Sequence, residues 1–323
     1  MVDLHHITLD GPEEVFNKQP DIKVENCSQS ISPEEGFVKW YHHWRKSPSG
    51  ILWLSAGRCK DGSYILRFEN AVDFLISPKG DLIQYHVFGN YTNNHTQSAL
   101  FNQVIPMVMN LRGTEVLHAS SILSLKGAVT FIGNGGYGKS TLAAGLVQAG
   151  LQLLSDDVVP LIFYGKELWT SSGLPRMGLW PHARQLLTPN GKADENPDKS
   201  LFKLTSTQYK SGNFPLKHIY FLKPSDESVS ITTAPMTAQR TFIELVRAAH
   251  RLDLTDHAML QRQFKTLQQV VQIINAKELI YPASIPDIKG LCSTVIRDLD
   301  YTNPPDSVSV INSKRSYSMS SNT

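Results

Sequence analysis

Residues 128–157 read AVTFIGNGGYGKSTLAAGLVQAGLQLLSDD, and this stretch decides the fold. Ala128 to Ile132 is an almost wholly apolar run with the length of a buried strand. Gly133, Gly138, Lys139 and Ser140 then satisfy G-x-x-x-x-G-K-[ST], with Gly135 and Gly136 inside the loop. From Ser140 to Ala149, Leu142, Ala143, Leu146 and Val147 mark one helical face, Gly150 supplies the stop, and LQLL resumes as a strand. Strand, glycine loop, helix and strand follow in the order a phosphate-binding loop needs. Glycines let backbone N–H groups turn toward phosphate oxygens, and the helix that follows adds the positive end of its dipole. Lys139 then reaches the β and γ phosphates while Ser140 offers a hydroxyl to Mg²⁺. The expected nucleotide contacts are Gly133, Asn134, Gly135, Gly136, Tyr137, Gly138, Lys139, Ser140 and Thr141, with ATP or GTP as ligand.

Asp156 and Asp157 end the strand after the loop, at the carboxyl edge where open α/β sheets hold their ligands. One carboxylate there can hold Mg²⁺ directly or through water. A second, close to the γ-phosphate and another negative group, gains proton affinity and can accept a proton from an attacking hydroxyl. Either aspartate alone can also be read as a solvated strand end or a turn cap. His118, in VLHASS, is expected on the strand preceding the loop's own strand, facing the same edge. Taken alone it reads as a satisfied core histidine.

Outward from this centre, GILWLSAG, SYILRFEN and AVDFLISP are short strand-like runs separated by the turn signals RCKDGS and PKGD. Residues 1–100 therefore read as a mostly β module, suited to holding a partner. In SALFNQVIPMVMNL, Leu100, Val104, Met107 and Leu111 keep helical spacing despite Pro106, so a helix bridges onward. After the centre come strands in LIFYG, HIYFLKP and SVSITTAP, an exposed polar connection in TPNGKADENPDKS, and two helices from about Ala238 to His250 and Thr255 to Ala276. The fold class expected is α/β or α+β, with a nucleotide-binding domain over 101–304. The Ser-rich stretch 305–323 lacks a core-forming pattern and reads as a disordered tail.

Composition narrows the function classes. The chain has 323 residues, 41% hydrophobic and 19% charged, with a net charge of +2, so no field draws it to nucleic acid or membrane. No apolar run reaches the length of a membrane span and the N-terminus has no signal-peptide core, which points to the cytoplasm. Cys27, Cys59 and Cys292 are far apart and outside any CxxC pair, and are expected as reduced thiols. The pairs His5–His6 and His42–His43 lack further ligands at metal-site spacing and read as surface residues. Trp40 and Trp44 in FVKWYHHWRK are four apart and fit one face of a short helix.

The segment GTEVLHASSILSLKGAVTFIGNGGYGKSTLAAGLVQAGLQLLSDDVVPL resembles the bacterial HPr kinase/phosphorylase family and its wider group of HPr-kinase-like proteins. More distantly it is similar to ATP-dependent phosphoenolpyruvate carboxykinase. The resemblance is carried by Leu117-His118, Ala128 to Ile132, Gly133 to Ser140, Gly150 and Asp156-Asp157. A weaker likeness runs through SSGLPRMGLWP, RTFIELVRAAHR and ELIYPASIPDIKGL. It implies Lys139 on the phosphates, Ser140 with Asp157 on Mg²⁺, and Asp156 or His118 near the acceptor. Arg176 falls in a region that in the family also carries a glutamate, absent here, so the reverse phosphorylase activity is not expected. Arg176 itself reads equally as a phosphate contact or a surface arginine, and Arg240 is a weaker candidate.

What the resemblance implies is an ATP-dependent kinase placing phosphate on a hydroxyl, serine in the first instance, of a peptide or protein such as a lasso-type ribosomal peptide precursor. Residues 1–100 do not resemble that family's regulatory domain, which weakens HPr itself as substrate. A kinase for a sugar, nucleoside or amino acid would use the same core. A nucleotide-binding switch without transfer is the alternative that the second aspartate argues against. Family members assemble, and by that analogy a homo-oligomer is left open.

Overall fold

A computed structural model describes residues 2–4, 22–29, 31, 38–45, 52–88, 93–187, 200–226, 229–283 and 287–300. His5, His6, the polar connection over 188–199 and the Ser-rich tail lie outside the described residues. The architecture is mixed α/β, built on two large sheets.

The first sheet comprises β1 (Val2–Leu4), β2 (Ile22–Asn26), β3 (Val38–Arg45), β4 (Leu52–Cys59), β5 (Tyr64–Phe68), β6 (Val72–Ile76) and β7 (Leu82–Val87). Its seven strands run in the order β1-β2-β7-β6-β5-β4-β3. The segment FVKWYHHWRK is thus a strand, not the short helix expected. The hydrogen-bonded ladder to β4 decides for the strand, and its irregularity after Trp40 pairs Trp40 with Gly57 and Trp44 with Leu54, which sets the two tryptophans on opposite faces of the sheet. There the Arg67 guanidinium lies over Trp40 and the His42 ring meets Trp44 edge-on. His43 is exposed and His42 half-buried.

A helical segment follows in three pieces: α1 (Asn93–Ala99), a π-turn (Leu100–Val104) and α2 (Ile105–Leu111). Leu100, Val104, Met107 and Val108 are buried with Leu54, Phe74, Ile83 and other residues of the first sheet in one apolar core. Residue 100, where the sequence suggested the β module ends, is inside this helical segment. Leu252 and Met259, from much later in the chain, complete the same core, and the Tyr41 hydroxyl donates to the Leu252 carbonyl.

The second sheet begins with β8 (Glu115–Leu117), β9 (Ala119–Ser124) and β10 (Gly127–Ile132). Then come α3 (Lys139–Gln148), β11 (Gln152–Ser155), β12 (Val159–Tyr164), β13 (Glu167–Ser171), β14 (Arg176–Leu179) and α4 (Pro181–Arg184). The chain continues through β15 (Ser200–Lys203), β16 (Asn213–Ser225), β17 (Thr232–Pro235), α5 (Ala238–Ala248), α6 (His257–Ile273), β18 (Asn275–Pro282) and α7 (Ile288–Asp300). β10, β16 and β18 are parallel neighbours; on one side β9 runs antiparallel to β10 and β11 antiparallel to β9, and on the other β17 runs antiparallel to β18. β14 and β15 form a separate two-stranded ribbon.

Alternation along β10 and β16 builds a core on each face. Phe131 and Tyr220 pack with Leu142 and Leu146 of α3 and Leu291 and Val295 of α7. Ile132, Ile219 and Phe221 face the other way, onto Leu245 of α5 and Leu267 and Val270 of α6. With both faces covered, β10 is buried along its whole length, which is why its sequence is apolar but for Thr130, whose hydroxyl donates to Ser121 Oγ. α3 and α7 approach closely because position 145 is glycine: a Cβ there would lie 2.6 Å from Ile288 Cγ2.

Candidate active site

The loop springs from the carboxyl end of β10, and α3 begins at Lys139. Gly136 and Gly138 have φ of 85° and 84°, a conformation that disfavours any side chain, so these two glycines are required by the turn. Gly138 is the N-cap of α3 and leaves that helix end without a side-chain cap, its N–H groups open to an anion. Lys139 Nζ donates to the Gly133 carbonyl at 2.7 Å and to that of Asn134 at 3.4 Å, so its ammonium is folded over the loop. The loop is braced from the sheet by the Tyr281 hydroxyl of β18, which donates to the Tyr137 carbonyl at 2.5 Å. Thr141 is buried in the first turn of α3, whereas Asn134, Gly135 and Gly136 are exposed.

Asp156 follows the last residue of β11 and lies beside the loop. Its Oδ1 accepts from the Ser140 hydroxyl at 2.9 Å and from the Ser120 hydroxyl at 2.6 Å, and its Oδ2 accepts from the Gly178 amide at 3.1 Å. The sequence expectation paired Ser140 with Asp157; the pairing found is with Asp156. The reason is local: Asp157 takes φ of 68°, a left-handed turn that directs consecutive side chains differently. Asp157 is buried, and its Oδ2 accepts from the Asn102 side-chain amide at 3.1 Å.

His118 is not on a continuous strand as expected. It occupies the break between β8, which pairs with β12, and β9, which pairs with β10 and β11. The break is held by the His118 amide donating to the Ala248 carbonyl at 2.7 Å, so the end of α5 fixes it. His118 Nδ1 lies 3.3 Å from the Asp157 carbonyl oxygen and 4.0 Å from its Oδ1. Behind it stands His250, edge-on at 6.1 Å between ring centroids. Burial, and then the neighbouring His118, lower the His250 pKa to about 3, so that ring is neutral.

Arg176 opens β14, two residues before Gly178, and is half-buried. Its Nη1 donates to Gln97 Oε1 at 3.1 Å and its guanidinium lies 5.0 Å from the Phe101 ring centre. Burial lowers its pKa, with no carboxylate opposing that effect, and it has no acidic partner among the described residues. Arg240 is committed elsewhere, its guanidinium pairing with Glu278 of β18. Gln97, Phe101 and Asn102 were not singled out from sequence; the available signal was Pro106 inside a helical apolar pattern.

Lys139, Ser140, Asp156, Asp157, His118 and Arg176 are therefore linked through contacts along one edge of the second sheet and the helical segment beside it. Among the described residues no group of three or more His, Cys, Asp or Glu side chains could hold a metal by itself. Cys27, Cys59 and Cys292 are free thiols. No helix among the described residues is long and apolar enough to cross a membrane.

No protein-family model matches this chain, and no curated protein matches it. Among solved structures, it is similar to the Hpr(Ser) kinase/phosphatase from Coxiella burnetii, at 16% identity and a TM-score of 0.34, over 58% of this chain and 97% of that one. This is a distant structural likeness.

Proposed function

We propose that this protein is an ATP-dependent phosphotransferase that moves the γ-phosphate of ATP to a hydroxyl, serine of a peptide or protein being the acceptor favoured. One observation carries the reading: the hydroxyl that ends the glycine loop, Ser140, is hydrogen-bonded to the first of two strand-end aspartates, while the second faces away from it toward His118 and Asn102. Two carboxylates with different partners suit two different tasks.

The Ser140–Asp156 pair fits Mg²⁺, whose usual site in such loops is a hydroxyl and a carboxylate completed by phosphate oxygens and water. Bound there, Mg²⁺ would neutralise charge on the phosphate oxygens. Lys139 is placed in the loop to exchange its contacts with the Gly133 and Asn134 carbonyls for phosphate oxygens. Asp157 is the group assigned to the acceptor: its carboxylate takes the hydroxyl proton as the acceptor oxygen bonds to the γ-phosphorus and the bond to the β-phosphate oxygen breaks, releasing ADP. Arg176, half-buried without an acidic partner among the described residues, is suited to the charge on the transferring group. These assignments reverse the aspartate roles expected from sequence. His118 is retained beside Asp157 as an orienting group.

Calorimetric titration with Mg·ATP and a turnover assay separate the roles. Ser140→Ala and Asp156→Asn should weaken Mg·ATP binding, whereas Asp157→Asn should keep it and lose turnover by about a hundredfold or more. If Asp157→Asn weakens nucleotide binding and Asp156→Asn does not, the assignment is wrong.

A further inference from the structure

The helical segment over residues 93–111 has two unlike sides, and the second of them touches the site. Pro106 has no N–H and its ring crowds the carbonyl four residues earlier, that of Asn102, so a regular α-helix cannot run through. The chain widens into the π-turn Leu100–Val104, closed by the Ile105 amide on the Leu100 carbonyl. Such turns within helices recur at functional sites. On one side Leu100, Val104, Met107 and Val108 are buried in the core of the first sheet. On the other, Gln97 accepts from Arg176 and Asn102 donates to Asp157, while Phe101, packed against the edge of that core, lies beneath the Arg176 guanidinium.

We infer that Asn102 is a positioning residue for the aspartate that receives the acceptor's proton, fixed in place by the π-turn and, through it, by the core of the first sheet. The geometry gives it a specific task. Asn102 Nδ2 holds Asp157 Oδ2 at 3.1 Å. The other oxygen, Oδ1, makes no hydrogen bond to any described residue and faces His118 at 4.0 Å, which leaves it available for a proton. The same Nδ2 has a second, longer contact with Ser98 Oγ at 3.5 Å, which orients the amide from within its own helix. Through Gln97 and Phe101 the helix also sets the position of Arg176, so one element rooted in the first sheet reaches both groups assigned to the acceptor side.

This inference rests on the phosphotransfer reading, and its test keeps the two apart. Asn102→Ala and Asn102→Asp are compared with wild type for binding of a fluorescent Mg·ATP analogue and for γ-phosphate release with water as acceptor. Expected is nucleotide affinity within about twofold of wild type, an unchanged KM for ATP, and a kcat lower by about 10- to 100-fold, the usual effect of a small misplacement of a reacting group. Asn102→Asp should fall further than Asn102→Ala, because a second carboxylate repels the first. Independently of turnover, the Asn102 side-chain amide resonance, identified by its absence in Asn102→Ala, should move in Asp157→Asn. Wild-type kcat in both variants overturns the positioning role, as does an equal loss of affinity and turnover, which marks a structural effect alone. Should the wild-type protein bind Mg·ATP but release no γ-phosphate, the phosphotransfer reading fails, and an unmoved amide resonance would then also remove the contact.

Discussion

Replacing His250 with leucine should remove about 2 kcal/mol of the stability that the protein loses between pH 7 and pH 5. His250 is 9% exposed, its Nε2 has no hydrogen-bond partner, and its pKa in the folded protein is about 3 against an ordinary 6.5. Below pH 6.5 the unfolded chain takes up a proton on this ring that the folded protein refuses, so stability is fully present above that pH and falls as pH drops toward 3. Each unit of difference is worth 1.36 kcal/mol, so between pH 7 and pH 5 this one ring should cost about 2 kcal/mol. Glu115 acts in the opposite sense: burial raises its proton affinity despite its bonds from Gln263 and Asn110, so it favours the folded state as pH falls. His218, lowered mainly by burial, adds to the acid loss. Both are common to wild type and variant, so the difference between their urea midpoints at pH 7 and pH 5 isolates His250. His250→Leu should also be no less stable than wild type at pH 7, because it deletes an unpaired buried polar atom. A variant that loses as much stability as wild type between those pH values, to within about 0.5 kcal/mol, would refute the assignment of a neutral, buried His250.

Three further outcomes follow from the packing. Gly145→Val should lower stability by about 2–3 kcal/mol in urea titration, since even a Cβ meets Ile288 Cγ2 at 2.6 Å and Cys292 Sγ at 2.8 Å and would push α3 from α7. Tyr281→Phe should cost about 1 kcal/mol and weaken Mg·ATP binding a few-fold by calorimetry, through loss of the 2.5 Å brace on the Tyr137 carbonyl. Because burial pushes that phenol up to about 12, the brace should persist in wild type to pH 10. Asp298→Ala should lower the urea midpoint by the equivalent of about 3 kcal/mol, since Tyr220, Thr233 and the largely buried Lys277 all lose their acceptor.

The glycine loop is legible because its constraints are local: a buried strand must be apolar, a turn with positive φ must use glycine, and a helix start must follow. The same locality made α5 and α6 readable from their apolar spacing. Where two structures share one spacing, sequence alone could not choose. Trp40 and Trp44, four apart, suit one face of a helix or of a regular strand, and the β4 ladder that makes a strand, irregular after Trp40 so that the two lie on opposite faces, is a tertiary fact. His118 was read as mid-strand because the break at that residue is made by Ala248, 130 positions away in the chain. Adjacent aspartates are indistinguishable by pattern, and only the left-handed backbone at Asp157 separates their directions. Asn102 and Gln97 were missed because a polar residue on a helix reads as solvent-facing unless its far partner is known. Pro106 carried a trace of that information, as an interruption that the helix accommodates by widening.

The most direct measurement is phosphate transfer from γ-labelled Mg·ATP to a mixture of serine-containing peptides, with product phosphoserine identified by mass spectrometry. Wild-type protein should form phosphoserine in a Mg²⁺-dependent reaction, and Lys139→Ala and Asp157→Asn should abolish it, with Asp157→Asn still binding Mg·ATP. Phosphoserine formed equally by wild type and Asp157→Asn, or tight Mg·ATP binding with no γ-phosphate leaving for any hydroxyl or for water, would contradict a phosphotransferase built on these residues.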